Sequence, residues 1–299
     1  ITCRDWSSDV CSSDLNVYQW RYNQTTARFS SLSQDTKASL LWSDFLDNNL
    51  PVLLALGNNY FFHEIPYDTT QPYRTVRYSS INSHEDLNRH FQTRNQSKYY
   101  IKEHDVGLYE NEIILSIHHI LPMLHYHNKH VDIKPSSDLK PQDLLKYNIL
   151  YLGNTKNLRL LESLLKNLNI NFDAYNYHYR FIVKTRTPDT ARVHTSIGAD
   201  TFGRRLDYVI FDKLPGPNAN QILIITCTDL TGVHEMVKLI TDPDRMPYVQ
   251  KTISGTNALM PKYFESLWQV SSLNRTGFTI KPVQSFSIPS DIELIMPNN

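Results

Sequence analysis

Residues 148–168 read NILYLGNTKNLRLLESLLKNL, and this stretch decides the fold. Its first six residues are apolar on both parities, too few for a helix, and stop at Gly153, which is the pattern of a strand covered on both faces. Behind them Leu158, Leu161, Leu164, Leu165 and Leu168 recur at helical spacing, so the stretch predicts strand, tight turn, helix. Upstream, PVLLALG at 51–57 repeats the device: a continuous apolar run stopped by Gly57, preceded by LLWSDFLDNN, whose Leu41, Trp42, Phe45 and Leu46 share one helical face.

Working outward, LYENEIILSIHHILPMLHYH predicts a helix with Leu108, Ile114, Ile117, Leu121 and Leu124 on its packing face and Pro122 kinking the last turn. VDIK reads as a short strand and KPQDLLKY as a short helix. YRFIVK, ARVHTSI, LDYVIFDKL and QILIITCTD follow as strands, the last two joined by the turn PGPNAN. A helix at GVHEMVKLIT and two closing strands, YFESLWQVSSL and FTIKPVQSFSI, complete the pattern. Buried runs alternating with amphipathic helices predict an α/β fold, a three-layer sandwich around one mixed sheet, with a Rossmann-like parallel first half and an antiparallel second half. Between them, residues 60–100 are polar and aromatic and read as an excursion from the sheet, a candidate lid.

Residues 5–15, DWSSDVCSSDL, have no apolar periodicity and resemble, residue for residue, a translated sequencing adapter. Residues 1–15 are therefore expected to contribute nothing to the fold. Residues 16–39 read as a linker from a lost upstream region, and 40–299 as a single α/β domain. The whole chain is formally neutral; setting aside Arg4 against Asp5, Asp9 and Asp14 leaves the remainder at +2. Such a balance gives no general attraction to nucleic acid or anionic lipid, so direct nucleic-acid binding is not expected. With Cys3 and Cys11 in the adapter-like segment, Cys227 stands alone in an apolar run, which excludes a disulfide framework or a cysteine-based zinc site and predicts a small core residue. No apolar run reaches the roughly 18 residues of a membrane span.

Chemical signatures are sparse. His118 and His125 lie two helical turns apart and share a face, but a metal would need further ligands there. HEDLNRH and VHEMVK lack the spacing of the two-histidine zinc helix, and no nucleophile elbow, P-loop or G-x-G-x-x-G is present. No metal or cofactor is expected. What remains is position. Both glycine-stopped strands are followed by amides, and a third apolar run ends near Asp229, so Asn58, Asn59, Asn154, Asn157 and Asp229 are the candidate ligand-binding residues at the carboxyl ends of parallel strands. A helix N-terminus after Asn154 would add backbone N–H groups for an anionic or carbonyl-bearing group.

The segments LLWSDFLDNNLPVLLALG, DLLKYNILYLGNTKNLRLLESLL, LDYVIFDKLPGPNANQILIITCTDLTGVHEMVKLITDP and YFESLWQV together resemble an uncharacterised bacterial α/β domain. That domain usually lies C-terminal to a winged-helix DNA-binding or membrane-anchored segment. After the ILIIT strand the family tends toward small residues and glycines, whereas this chain keeps only Gly232 and adds Asp229, His234 and Glu235, which weakens a phosphate-cradle reading. The resemblance implies no activity. It implies a non-catalytic sensory or interaction domain of a bacterial regulatory protein, truncated at its N-terminus. Such a domain would be cytoplasmic or part of a membrane-anchored protein, would be able to pair as a homodimer, and would hold a small polar ligand. The alternative is an enzyme acting on a small nucleotide-like or glycosidic substrate in the same crevice, with Asp229 or Glu235 as the acid/base group.

Overall fold

The structure is a computed structural model that describes residues 39–68, 70–78, 81–92, 99–103, 108–175, 178–185, 190–256, 259–292 and 294. The adapter-like segment and all of the expected linker except Ser39 lie outside the described residues. The chain runs through α1 (Ser43–Asp47) and β1 (Val52–Leu56) into β2 (Phe62–Pro66), β3 (Arg74–Val76), α2 (His84–Gln92) and β4 (Tyr99–Glu103). It continues with α3 (Asn111–Tyr126), β5 (Val131–Pro135), α4 (Pro141–Lys146), β6 (Asn148–Asn154) and α5 (Glu162–Leu165). Then come β7 (Ile170–Tyr175), β8 (His178–Lys184), β9 (Ala191–Thr195), β10 (Arg204–Pro215) and β11 (Gln221–Cys227). Last are α6 (Thr231–Thr241), α7 (Met246–Ser254), β12 (Tyr263–Leu273) and β13 (Thr276–Ile288).

Seven strands form the central sheet in the order β13-β12-β10-β11-β6-β1-β5. β5, β1, β6 and β11 are mutually parallel, and β10, β12 and β13 are antiparallel to their neighbours. The mixed α/β sandwich is thus parallel in its first half and antiparallel in the rest. In chain order the parallel strands occupy the spatial sequence second, first, third, fourth, so the direction of winding reverses between β1 and β6. Crevices at the carboxyl ends of strands open at such reversals.

The strand period of two sorts the core into layers. Val52, Leu54 and Leu56 of β1, Leu150 and Leu152 of β6, and Leu223, Ile225 and Cys227 of β11 face a helical layer. That layer brings Trp42 and Phe45 of the α1 region, Ile113, Ile120 and Leu124 of α3, Val233 and Met236 of α6 and Val249 of α7. The alternate residues Leu53, Ala55, Ile149, Tyr151, Ile222 and Ile224 face the leucines that follow β6. Farther along that face Tyr208, Ile210 and Leu267 meet Ile170, Phe181 and Val183 of the β7-β8-β9 sheet. The third layer is therefore a leucine wall beside a small sheet, and YRFIVK and ARVHTSI belong to that small sheet rather than to the central one.

Two local expectations are corrected, and the expected excursion from the sheet takes a definite form. The residues after β6 form two 3₁₀ turns, Thr155–Asn157 and Arg159–Leu161, and the one-turn α5, with Arg159 at φ 57°. All five leucines at helical spacing are nonetheless buried. Burying a leucine is worth about 1.5–3 kcal/mol, while helix propensities differ by roughly 0.7 kcal/mol at most among ordinary residues. The leucine pattern consequently reports which side is covered and not which helix is made. In α3 Leu124 is buried and Ile117 and Leu121 pack partly buried against the core as expected, joined by Ile113 and Ile120, whereas Ile114 is 54% exposed and Leu108, 41% exposed, precedes the helix. The excursion after β1 is a small antiparallel sheet, β3-β2-β4, with α2 packed on it through Phe62, Ile81 and Leu87. Among the described residues no helix is long and apolar enough to cross a membrane.

Candidate functional site

The carboxyl ends of β1 and β6 lie side by side. A Cβ on Gly153 would stand 2.5 Å from the Tyr151 hydroxyl oxygen and 2.7 Å from the Gly57 Cα, and one on Gly57 would stand 2.8 Å from the Gly153 Cα. Gly153 lies within β6 and neither residue has positive φ. The two glycines thus answer a close approach of strands and a buried tyrosine, not a turn. The Tyr151 hydroxyl in turn donates to the Asn154 carbonyl at 2.7 Å.

The four candidate asparagines divide into two pairs. Asn58 accepts from the Ser137 N–H (3.2 Å) and the Ser136 hydroxyl (3.3 Å) and donates to the Ser137 hydroxyl (3.1 Å), fastening the turn after β5 to the end of β1. Asn154 donates to the Thr228 carbonyl (2.6 Å) and accepts from the Lys156 N–H (3.1 Å), so it caps the first 3₁₀ turn and ties β6 to the end of β11. These two side chains are occupied by the fold. Among the described residues Asn59 makes only a backbone bond, donating its N–H to the Leu108 carbonyl at 3.0 Å, and its buried Oδ1 has no partner. Asn157 is 2% exposed, and its Oδ1 is likewise unpartnered. The expected helix N-terminus after Asn154 does not exist, because a single 3₁₀ turn aligns too few peptide dipoles to hold an anion.

Around these amides the topology gathers charges that sequence order keeps apart. Glu110 and Glu112 stand at the start of α3, both within 4 Å of Arg275, at 3.9 and 3.7 Å. Arg275 shares a two-residue hairpin loop with Asn274, both at positive φ as such loops require. Lys156 keeps solvent contact and has no ion-pair partner among the described residues. Partial burial and then the Arg77 guanidinium hold its ammonium below the ordinary lysine value, with Glu110 opposing them. The excursion roofs this region: Arg159 donates to the Asn82 carbonyl and lies 3.9 Å from Asp86. On the roof side Arg77 is tied down by the Tyr78 and Ile81 carbonyls, both at 3.3 Å, and by Asn82 Oδ1 at 3.0 Å.

Asp229, the fifth candidate, is consumed by its neighbours. It pairs with Arg205 and accepts from the Thr231 N–H (3.3 Å) and hydroxyl (3.0 Å) at the start of α6. Beneath it Asp207 accepts from the Thr228 hydroxyl, the Asp229 N–H (2.6 Å) and the Tyr208 N–H (2.8 Å). Burial nevertheless outweighs those bonds and pushes its carboxyl up to about 6. Cys227 donates to the Asp229 carbonyl, and burial, reinforced by Asp207, raises its thiol well above the usual range. A raised, enclosed thiol is inert. Thiol labelling of Cys227 in native protein should accordingly be slow and become fast on unfolding; rapid native labelling would show that the end of β11 is open.

The other sequence candidates fall elsewhere. Glu235 pairs with Lys238 at 2.7 Å. His234 stacks near His119, ring centroids 5.5 Å apart, and burial, then Lys238, lowers it to about 4. Among the described residues no cluster of three or more metal-ligating side chains occurs. Cavities of about 530 and 420 Å³ lie beside β13 and the end of α7, and between the end of α1 and residues 127–130, away from the five candidate residues. Sequence reasoning named Asn59 and Asn157 but not Lys156, though it sits inside the quoted GNTKN stretch; Glu112 and Arg275 carried no local signal. Comparison with family models, curated proteins and solved structures finds no match to this chain.

Proposed function

We propose that this chain is a non-catalytic sensory or interaction domain of a bacterial regulatory protein, a cytoplasmic module that holds a small polar ligand at the carboxyl ends of β1 and β6, where the order of the parallel strands reverses. The observation that carries this reading is Asn157: a carboxamide 2% exposed whose oxygen has no partner, at the point where the parallel strands reverse order. An unmet buried acceptor costs about 1–3 kcal/mol, so a donor brought to it by a ligand would be stabilising. The roof formed by the excursion and Arg159 supports the same reading. A DNA-binding or membrane-anchored part of the same regulator would read out the occupied state. The enzymatic alternative is less well served, since Asp229 and Glu235, its acid/base candidates, are both held in ion pairs.

The test exposes the protein to pools of small metabolites and reads thermal stability, hydrogen exchange and the composition of the pool. A ligand at a hundred times its dissociation constant should stabilise the native state by about 2.7 kcal/mol and slow exchange at Asn59, Lys156 and Asn157. Consumption of a pool member would replace the sensory reading with the enzymatic one. Binding that leaves exchange at those three amides unchanged would move the site elsewhere.

A further inference from the structure

Helix α3 is apolar on the side that packs and on the side that does not. Ile113, Ile120 and Leu124 meet the core, while Ile114 and Leu115 are each at least half exposed, and His118, His125 and Tyr126 share that outer side. From Ile113 to Asn128 the chain contains no Asp, Glu, Lys or Arg. The other helices of two or more turns carry charge that reaches solvent: Glu85 and Arg89 on α2, Lys238 on α6 and Lys251 on α7. A helix that is apolar all round is a covered helix, and the 16 residues of α3 fall short of the roughly 20 that cross a bilayer.

The order of residues along the outer side says what covers it. Ile114, His118, Leu121 and His125 follow one another at the alternating spacing of a helix-pairing seam. A two-fold axis midway along α3 lays that seam antiparallel on its own copy, with Ile114 against the partner's His125 and His118 against the partner's Leu121. The same axis brings Glu110, at the start of α3, beside the partner's Lys129, just past its end, so the tips of the pair are opposite in charge. A two-fold interface sets one patch against itself, and a patch without fixed charge along its seam meets its copy without repulsion. A helix lying on a membrane surface carries lysine or arginine beside its apolar face; α3 carries neither, and its other face packs on the core. The geometry points to a second copy of this chain as the occupant, α3 pairing antiparallel with the same helix of the partner in a two-fold dimer.

Sedimentation velocity of the full chain, with a reducing agent present and over a micromolar concentration series, tests this pairing. A concentration-dependent dimer is expected. Ile114→Glu puts a carboxylate into the seam from an exposed position, once from each copy, and should raise the dimer dissociation constant about a hundredfold. His125→Lys alone should weaken the dimer less. The double variant Ile114→Glu/His125→Lys should recover most of the loss, because position 114 faces position 125 across the axis and lies about three turns from it within one copy. Phe278→Glu, at an exposed apolar side chain on β13, should change nothing. Far-UV circular dichroism matching the parent confirms that each variant folds. A chain that is monomeric throughout overturns the proposal, and cosedimentation of that monomer with phosphatidylcholine vesicles, lost in Ile114→Glu, would assign the face to lipid instead. A dimer indifferent to Ile114→Glu, or undone by Phe278→Glu, puts the interface elsewhere and overturns it as well. Loss in Ile114→Glu without recovery in the double variant overturns the antiparallel pairing.

Discussion

Trp42→Ala should destabilise the domain by about 3–5 kcal/mol, the range for removing a fully buried tryptophan. Trp42 has no exposed surface, meets Phe45 edge-on at 5.9 Å between ring centroids, and donates its indole N–H to the Ile240 carbonyl at 2.8 Å. That carbonyl belongs to the last turn of α6, where backbone acceptors have no partner within the helix. One side chain therefore fills the helical layer and closes a helix end. Around it the Leu41 carbonyl accepts from buried Lys213 (3.1 Å), and the Ser39 hydroxyl accepts from Gln250 of α7 (2.6 Å). Urea unfolding measures the effect. Trp42→Phe, which keeps most of the buried area and loses the N–H, should cost only about 1–2 kcal/mol. Equal losses for both substitutions would mean that the hydrogen bond and not packing dominates; no loss for alanine would mean that the segment before β1 is not part of the core.

Gly153→Ala is the second large effect, because the added methyl meets the Tyr151 hydroxyl at 2.5 Å and the Gly57 Cα at 2.7 Å. Overpacking of this kind costs typically about 1–3 kcal/mol, and backbone on one side leaves little room to relax. Tyr151→Phe removes the hydroxyl oxygen and should recover part of the loss, giving a coupling of about 0.5–3 kcal/mol between neighbouring positions. The recovery should be incomplete, since the Gly57 Cα and the ring carbon Cζ at position 151, each 2.7 Å from the added methyl, stay where they are. Stability of Gly153→Ala within about 0.5 kcal/mol of the parent in the Tyr151 background would refute the close approach of β1 and β6.

That close approach also shows what could be read from the residues alone. Apolar runs on both parities at 52–56, 149–152 and 222–227 identified strands buried on two faces, because a strand has only two faces and both were marked. The stop at each glycine was visible, but its cause was not: it lies in a strand brought alongside from ninety-odd positions away. Residues 170–175, INFDAY, carry a weaker strand signal because only one face of the small sheet meets the core. The leucines after Asn154 misled about conformation and not about burial. Among site residues, Asn59 and Asn157 were named from position, yet the feature that separates them from Asn58 and Asn154 is the fate of each carboxamide oxygen. For Asn58 that fate depends on Ser136 and Ser137, which local sequence does not bring near, whereas the Asn154 oxygen accepts from the Lys156 N–H two residues on.

The backbone bond between Asn59 and Leu108 joins the chain just as it leaves the central sheet to the point at which it returns. It works as a neck: whatever lies between those residues can lengthen, shorten or change composition while the two ends stay spliced at a fixed separation, and lengthening a closed loop raises its entropic cost only logarithmically. A change in length between Asn59 and Leu108 should thus leave the pairing of β1 with β5 and β6 in place, the excursion's other tie being Arg159 to Asn82 and Asp86.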